Sequence, residues 1–114
     1  MKRVALLGST GSIGRQTLEV IEANPERFSL VAMAAGKNIP LIIEQAHKYR
    51  PKLVSVLSQE IAEQIEEQLP DGIKVTYGIE GLIETATYPE ADIVLTAVVG
   101  SIGLKPTLAA IEAG

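Results

Sequence analysis

Four apolar runs of strand length, continuous rather than alternating, at residues 4–7, 30–35, 53–57 and 93–99, are interspersed with stretches of helical periodicity. A strand half-exposed to water alternates apolar and polar side chains. One covered on both faces reads as a continuous apolar run, the pattern of a parallel sheet between helices. Between the runs, Ile13, Thr17, Val20 and Ile21 are expected to share the inner face of a first helix, with Arg15, Glu19 and Glu22 outside. Ile39, Ile42, Ile43 and Ala46 do the same in a second. Ile61, Ile65 and Leu69 do so in a third, leaving Glu63, Glu66 and Glu67 to water. Prolines in "ANPERF" and "RPK" end helices before the next strand, "LPDG" is a turn, and "IKVTYG" reads as a weaker, edge strand. The expected architecture is α/β, a doubly wound and mostly parallel sheet with right-handed crossovers.

The 114 residues amount to about one domain, and 46% hydrophobic residues suffice for a core without staples. The chain has no cysteine, which excludes thiol chemistry, thiolate metal sites and disulfides. A formal charge of −4 and 4% aromatic residues argue against nucleic acid, which needs a basic face or stacking platforms. The N-terminal apolar run stops at Leu7, too short for a signal peptide or a membrane span, so a soluble, untargeted, cytoplasmic protein is expected. The closing "LKPTLAAIEAG" reads as a helix running into Gly114, which suggests a fragment of a longer protein.

Chemistry enters at "LLGSTGSIGRQT", where Gly8, Gly11 and Gly14 fall between the first strand and the first helix. Gly8 permits the tight turn, Gly11 lets an anion approach the backbone, and Gly14 lets the helix pack closely. The helix starting near Ser12 offers unpaired N–H groups and the positive end of its dipole, a seat for a pyrophosphate. Ser9, Thr10 and Ser12 add hydroxyl donors. The spacing is G-x-x-G-x-x-G, neither the common dinucleotide fingerprint nor a P-loop, and a turn serving backbone geometry alone is the competing reading.

The second strand should end beside the adenosine ribose, where NAD-binding units place Asp or Glu. No acidic residue occurs between Leu30 and Leu41; Gly36, Lys37 and Asn38 stand at that corner instead. Lys37 suits a ribose 2′-phosphate and Asn38 can donate to the same oxygens, which favours NADP(H) over NAD(H). Asn38 is equally suited to cap the following helix, with Pro40 in its first turn, and Lys37 to be an ordinary surface charge. Residues 91–107 hold the most hydrophobic strand, expected mid-sheet beside the first strand on the side away from the second. Gly100 and Gly103 would then border the crevice where strand order reverses, or simply precede a helix.

Catalytic machinery is not evident. His47, the sole histidine, stands beside Lys48 and Tyr49 without a carboxylate or nucleophile at a motif spacing, and reads as a surface or packing residue. The carboxylates form no metal-ligand cluster. No Tyr-x-x-x-Lys pair exists, because Leu53, Gly81 and Asp92 stand four residues after the tyrosines.

In order along the chain, "LLGSTGSIGRQTLEVI", "AAGKN" and "AVVGSIGLKPTLAAIEAG" resemble the N-terminal domain of the 1-deoxy-D-xylulose 5-phosphate reductoisomerase family. The resemblance implies a Rossmann-type NADPH-binding domain over residues 1–114, with the family's catalytic and C-terminal domains outside it. It implies cofactor contacts at Thr10, Gly11, Ser12 and Ile13 and at Gly36, Lys37 and Asn38, beside the Gly8 turn. It further implies a homodimeric enzyme that isomerises and reduces 1-deoxy-D-xylulose 5-phosphate to 2-C-methyl-D-erythritol 4-phosphate in non-mevalonate isoprenoid biosynthesis. The phosphosugar and a divalent metal, Mg or Mn, would be held by residues beyond the matched stretch, so neither catalytic nor metal ligands are assigned here. The rival expectations are a regulatory nucleotide-binding module, and the cofactor domain of another NADP-linked enzyme such as a semialdehyde dehydrogenase.

Overall fold

Strand and helix alternate throughout residues 1–96, the part of the chain that the structure, a computed structural model, describes. The order is β1 (Lys2–Leu7), α1 (Ser12–Ala23), β2 (Phe28–Ala34), α2 (Ile39–Tyr49), β3 (Leu53–Val56), α3 (Gln59–Glu66), β4 (Lys74–Tyr77), α4 (Gly78–Ala86) and β5 (Ile93–Thr96). The five strands form one sheet in the order β4-β3-β2-β1-β5, every neighbouring pair parallel. The chain winds outward from β1 to β4, then returns through α4 to place β5 on the far side of β1. Strand order therefore reverses at β1, as the doubly wound expectation required.

The sheet is covered on both faces. Val4, Leu6, Leu30, Met33, Val54 and Val56 pack beneath Leu18 and Ile21 of α1, Ile42 and Ala46 of α2, and Ala62 and Ile65 of α3. Leu7 and Ala34 on the opposite face meet Leu82 and Ala86 of α4, while Ala5, Ala32 and Leu53 lie under Tyr88 and Ala91. Each fully buried Leu, Ile or Met removes enough apolar surface from water to stabilise the fold by about 1.5–3 kcal/mol. Leu30 and Met33 share a face despite their odd spacing because the register shifts between Val4 and Ala5. Val4 pairs with Leu30 and Ala5 with Ala32, so Val31 is an extra residue in β2.

Three expectations change. The inner face of α1 is Gly14, Leu18 and Ile21, whereas Ile13 and Val20 are 56% and 55% exposed. The helix turns a glycine toward the backbone of the turn after β1, and close approach there leaves Ile13 and Val20 outward. Second, α4 was not foreseen. It crosses the sheet with Gly81 against Ser55 and Thr76, a contact that no apolar periodicity announces. Third, β5 does pair with β1, but among the described residues it is the outermost strand, with Leu95 exposed. Residues 97–99 of the expected strand, Gly100, Gly103 and the closing helix lie outside the described residues. The edge position of β4 is as expected.

Candidate functional site

All five strands being parallel, their carboxyl ends share one rim, and β1 reaches it at the glycine turn. Gly8 has φ +91°, a conformation that disfavours any residue with a Cβ. The bend closes with the Gly11 N–H donating to the Gly8 carbonyl at 3.2 Å. It is pinned to β2 because the N–H groups of Gly8 and Ser9 both donate to the Ala34 carbonyl, at 2.8 and 3.0 Å. A Cβ built on Gly14 falls inside contact distance of the Gly8 carbonyl oxygen, 2.8 Å from its carbon and 2.9 Å from Ser9 Cα. The first helix therefore rests directly on the turn's backbone. Gly11 differs: its Cβ would meet only the Gly8 oxygen, at 3.7 Å, and the residue is exposed.

What α1 presents at its tip follows from this. Gly11 is the N-cap and has no side chain to accept from the helix, and the first turn contains no acidic residue. Among the described residues nothing accepts from the N–H groups of Ser12, Ile13 and Gly14. The other helices of this face are capped: Asn38 Oδ1 accepts from the Leu41 N–H at 3.3 Å, and Ser58 Oγ from the Ile61 N–H at 3.4 Å. Free N–H groups at the positive end of a helix dipole suit an anion.

The second predicted cluster lies against the first. Thr10 Oγ1 accepts from the Gly36 N–H at 3.1 Å, so the corner following β2 is tied to the glycine turn. The Thr10 hydroxyl hydrogen remains available to donate. Lys37 and Asn38 are exposed beyond it, and no carboxylate among the described residues lies within ion-pair distance of Lys37. Asn38 does cap α2 through its carboxamide oxygen, which leaves its Nδ2 hydrogens unengaged. Gly8, Thr10, Gly11, Ser12, Ile13, Gly36, Lys37 and Asn38 thus adjoin one another at the rim, Ile13 with its side chain exposed rather than in the core as its helical spacing implied.

Two residues have other roles than expected, or none was expected. Ser9 is fully buried, so its hydroxyl faces inward, away from any ligand at the rim. Gln45, 4% exposed on the inner face of α2, donates from Nε2 to the Ser9 carbonyl at 2.8 Å. Its position three residues after Ile42 and one before Ala46 was the available signal, a polar side chain inside an apolar stripe.

The charged network sits at the opposite rim. Arg3 pairs with Asp92 at 3.4 Å and Lys52 with Glu90 at 3.0 Å. The backbone N–H of Arg3, then its side chain, hold the Asp92 carboxyl below its ordinary value; Lys52 and the Tyr88 hydroxyl do the same for Glu90. Burial first, and then Glu90, push the Tyr88 hydroxyl up. His47 Nε2 lies 2.7 Å from the Gln68 carbonyl, a tether between α2 and the end of α3. Among the described residues, no three His, Cys, Asp or Glu side chains converge as metal ligands, and no helix is long and apolar enough to cross a membrane.

Comparison with known proteins agrees with this architecture. Residues 4–114 match the family model described as 1-deoxy-D-xylulose 5-phosphate reductoisomerase. A relative of that name from Exiguobacterium sibiricum is 55% identical over 114 residues, all of this chain and 30% of its own length. One from Halalkalibacterium halodurans is 51% identical over 113 residues, 99% of this chain and again 30% of the relative. Among solved structures, a DOX-P reductoisomerase in complex with magnesium superposes with TM-score 0.92 at 32% identity, over all of this chain and 29% of that one. The Zymomonas mobilis enzyme in complex with NADPH superposes with TM-score 0.90 at 33% identity, over 98% of this chain and 30% of that one. The chain thus spans about 30% of the length of the relatives it matches. These matches favour neither the regulatory module nor the semialdehyde dehydrogenase. With the order of strands, the glycine turn and the matched sequence in agreement, the chain belongs to the 1-deoxy-D-xylulose 5-phosphate reductoisomerase family.

Proposed function

We propose that residues 1–114 are the NADPH-binding domain of a reductoisomerase that converts 1-deoxy-D-xylulose 5-phosphate to 2-C-methyl-D-erythritol 4-phosphate in isoprenoid biosynthesis. The observation that carries the reading is the uncapped, acid-free tip of α1, linked through Thr10 to a basic corner. The free N–H groups of Ser12 and Ile13 would receive the pyrophosphate, with Gly11 leaving room for it and the Thr10 hydroxyl donating alongside. Gly8 sets the turn that aims them. Gly36 brings the backbone close to Thr10, and Lys37 and Asn38 would hold the ribose 2′-phosphate through a charge-assisted contact and an amide donor. The exposed Ile13 side chain offers apolar cover at the helix tip.

When bound, the nicotinamide supplies the hydride. This chain's residues would bind and orient it, while the phosphosugar, the divalent metal (Mg or Mn) and the homodimer contacts would fall to the part of the relatives' length that this chain does not span. Support for a whole enzyme that uses both groups comes from solved relatives carrying this domain, one in complex with magnesium and one with NADPH. The acidic balance fits an enzyme without nucleic-acid partners, and the lack of cysteine is compatible with the cytoplasm. The test is titration of the intact protein with NADPH and NADH. NADPH should bind the more tightly; equal affinities would remove the role given to Lys37, and no binding of either would remove the cofactor assignment.

A further inference from the structure

We infer that Gln45 is a positioning residue that aims the glycine turn at the cofactor, an inference resting on the dinucleotide site proposed above. Gln45 lies at the end of the second turn of α2, outside the rim, and is 4% exposed. Its Nε2 reaches the Ser9 carbonyl at 2.8 Å across 36 residues of sequence. That carbonyl belongs to the peptide bond between Ser9 and Thr10. No cis peptide occurs among the described residues, so the C=O and N–H of this planar unit point in opposite directions. Holding the Ser9 oxygen inward against Gln45 therefore turns the Thr10 N–H away from the core, on the side of the turn opposite Gln45. No group among the described residues accepts from that N–H, which leaves it as a further donor beside those of Ser12 and Ile13.

The same bond sets the relation between the two halves of the site. Asn38 caps α2 at its start, and Gln45 grips the turn from the same helix two turns later. With the Thr10–Gly36 hydrogen bond, the distance between the pyrophosphate donors and the Lys37 corner is fixed at both ends of one rigid element. Among the described residues, Gln45 Oε1 is buried without a hydrogen-bond partner, and so is Ser9 Oγ. An unpaired buried acceptor is costly, so a methionine of similar shape would suit packing alone at least as well as glutamine. The amide is explained by the carbonyl it holds.

The test is Gln45→Met in the intact protein, with the affinity for NADPH and for NADH measured together with the melting temperature. Loss of one aiming hydrogen bond should weaken both coenzymes about two- to tenfold and equally, since both carry the pyrophosphate. Their ratio should stay as in the wild type, whereas Lys37→Ala should change that ratio. A lower melting temperature with both affinities within twofold of wild type overturns the inference and makes Gln45 a packing residue. Should the variant not fold, the wild-type protein is read instead, by following the Gln45 side-chain amide protons by NMR during NADPH addition. Shifted, slowly exchanging protons support the role and unmoved ones overturn it. A wild-type protein that binds neither coenzyme refutes the site itself, an outcome distinct from both.

Discussion

Gly11 and Gly14 stand three residues apart, and the structure makes them glycine for opposite reasons, which Ala substitutions separate. At Gly14 a methyl would lie 2.8 Å from the Gly8 carbonyl carbon and 2.9 Å from Ser9 Cα, and closer still to the Gly8 oxygen. All three are backbone atoms and cannot rotate away. Ordinary contact begins at 3.4 Å, so α1 must retreat by at least about 0.6 Å, and further to clear the oxygen. Overpacking of this kind costs about 1–3 kcal/mol, and the rigid neighbours place it at the upper end. Alanine's better helix propensity returns about 1 kcal/mol. The net loss is then about 2 kcal/mol, a fall in Tm of roughly 10 °C for a domain of this size.

Gly11→Ala has the reverse profile. Its methyl meets nothing nearer than 3.7 Å, and φ −77° suits alanine, so the Tm should remain within a few degrees of wild type. The methyl would stand beside the helix tip, however, and keep a phosphate from N–H groups whose charged hydrogen bonds contribute about 1.5–3 kcal/mol each. NADPH affinity should fall at least about tenfold. Differential scanning fluorimetry and a fluorescence titration of the two variants read both quantities. A Gly14→Ala protein that melts like wild type, with a Gly11→Ala protein that binds NADPH normally, would refute the geometry of the turn.

Lys37→Ala should weaken NADPH by about 1–3 kcal/mol and leave NADH nearly unchanged, as measured by parallel titrations. Asn38→Ala should cost about 1 kcal/mol of stability through the lost cap on α2, seen as a lower denaturant midpoint, and should weaken NADPH as well. Glu90 and Asp92 are held below ordinary values of 4.5 and 3.8, so the unfolded chain takes up their protons first. Their contribution is therefore whole at neutral pH, fades as the pH falls through that range, and is gone below the still lower folded values. The stability gap between wild type and a Glu90→Gln, Asp92→Asn variant should shrink on acidification and with added salt; an unchanged gap would count against the network.

Most of the architecture was legible because continuous apolar runs report burial on both faces and glycine reports backbone geometry. What escaped was governed by contacts distant in sequence. Ile13 and Val20 obey a helical period, but close packing at Gly14 selects another face. The extra residue Val31 exists only as a register between two strands. α4 crosses the sheet through Gly81, wedged against two hydroxyl-bearing residues, and presents Ile79 and Ile83 outward, so its apolar period does not mark its buried side. At the site, the turn and the corner were readable separately, each from local residue types. Their attachment through Thr10 and Gly36 is tertiary and leaves no spacing behind, and the place of Gln45 in an apolar stripe marks it as buried without naming Ser9 as its partner.

The Arg3–Asp92 contact joins residues 89 positions apart, and with it β5 docks on β1. Closing so long a loop costs chain entropy before any pairing offsets it, so strands β1 to β4, with their local crossovers, can associate before β5 arrives. The seam between β1 and β5 is then among the last features to form as the polypeptide folds. The Arg3–Asp92 pair acts as its clasp, and losing that pair would loosen this seam before the rest of the sheet.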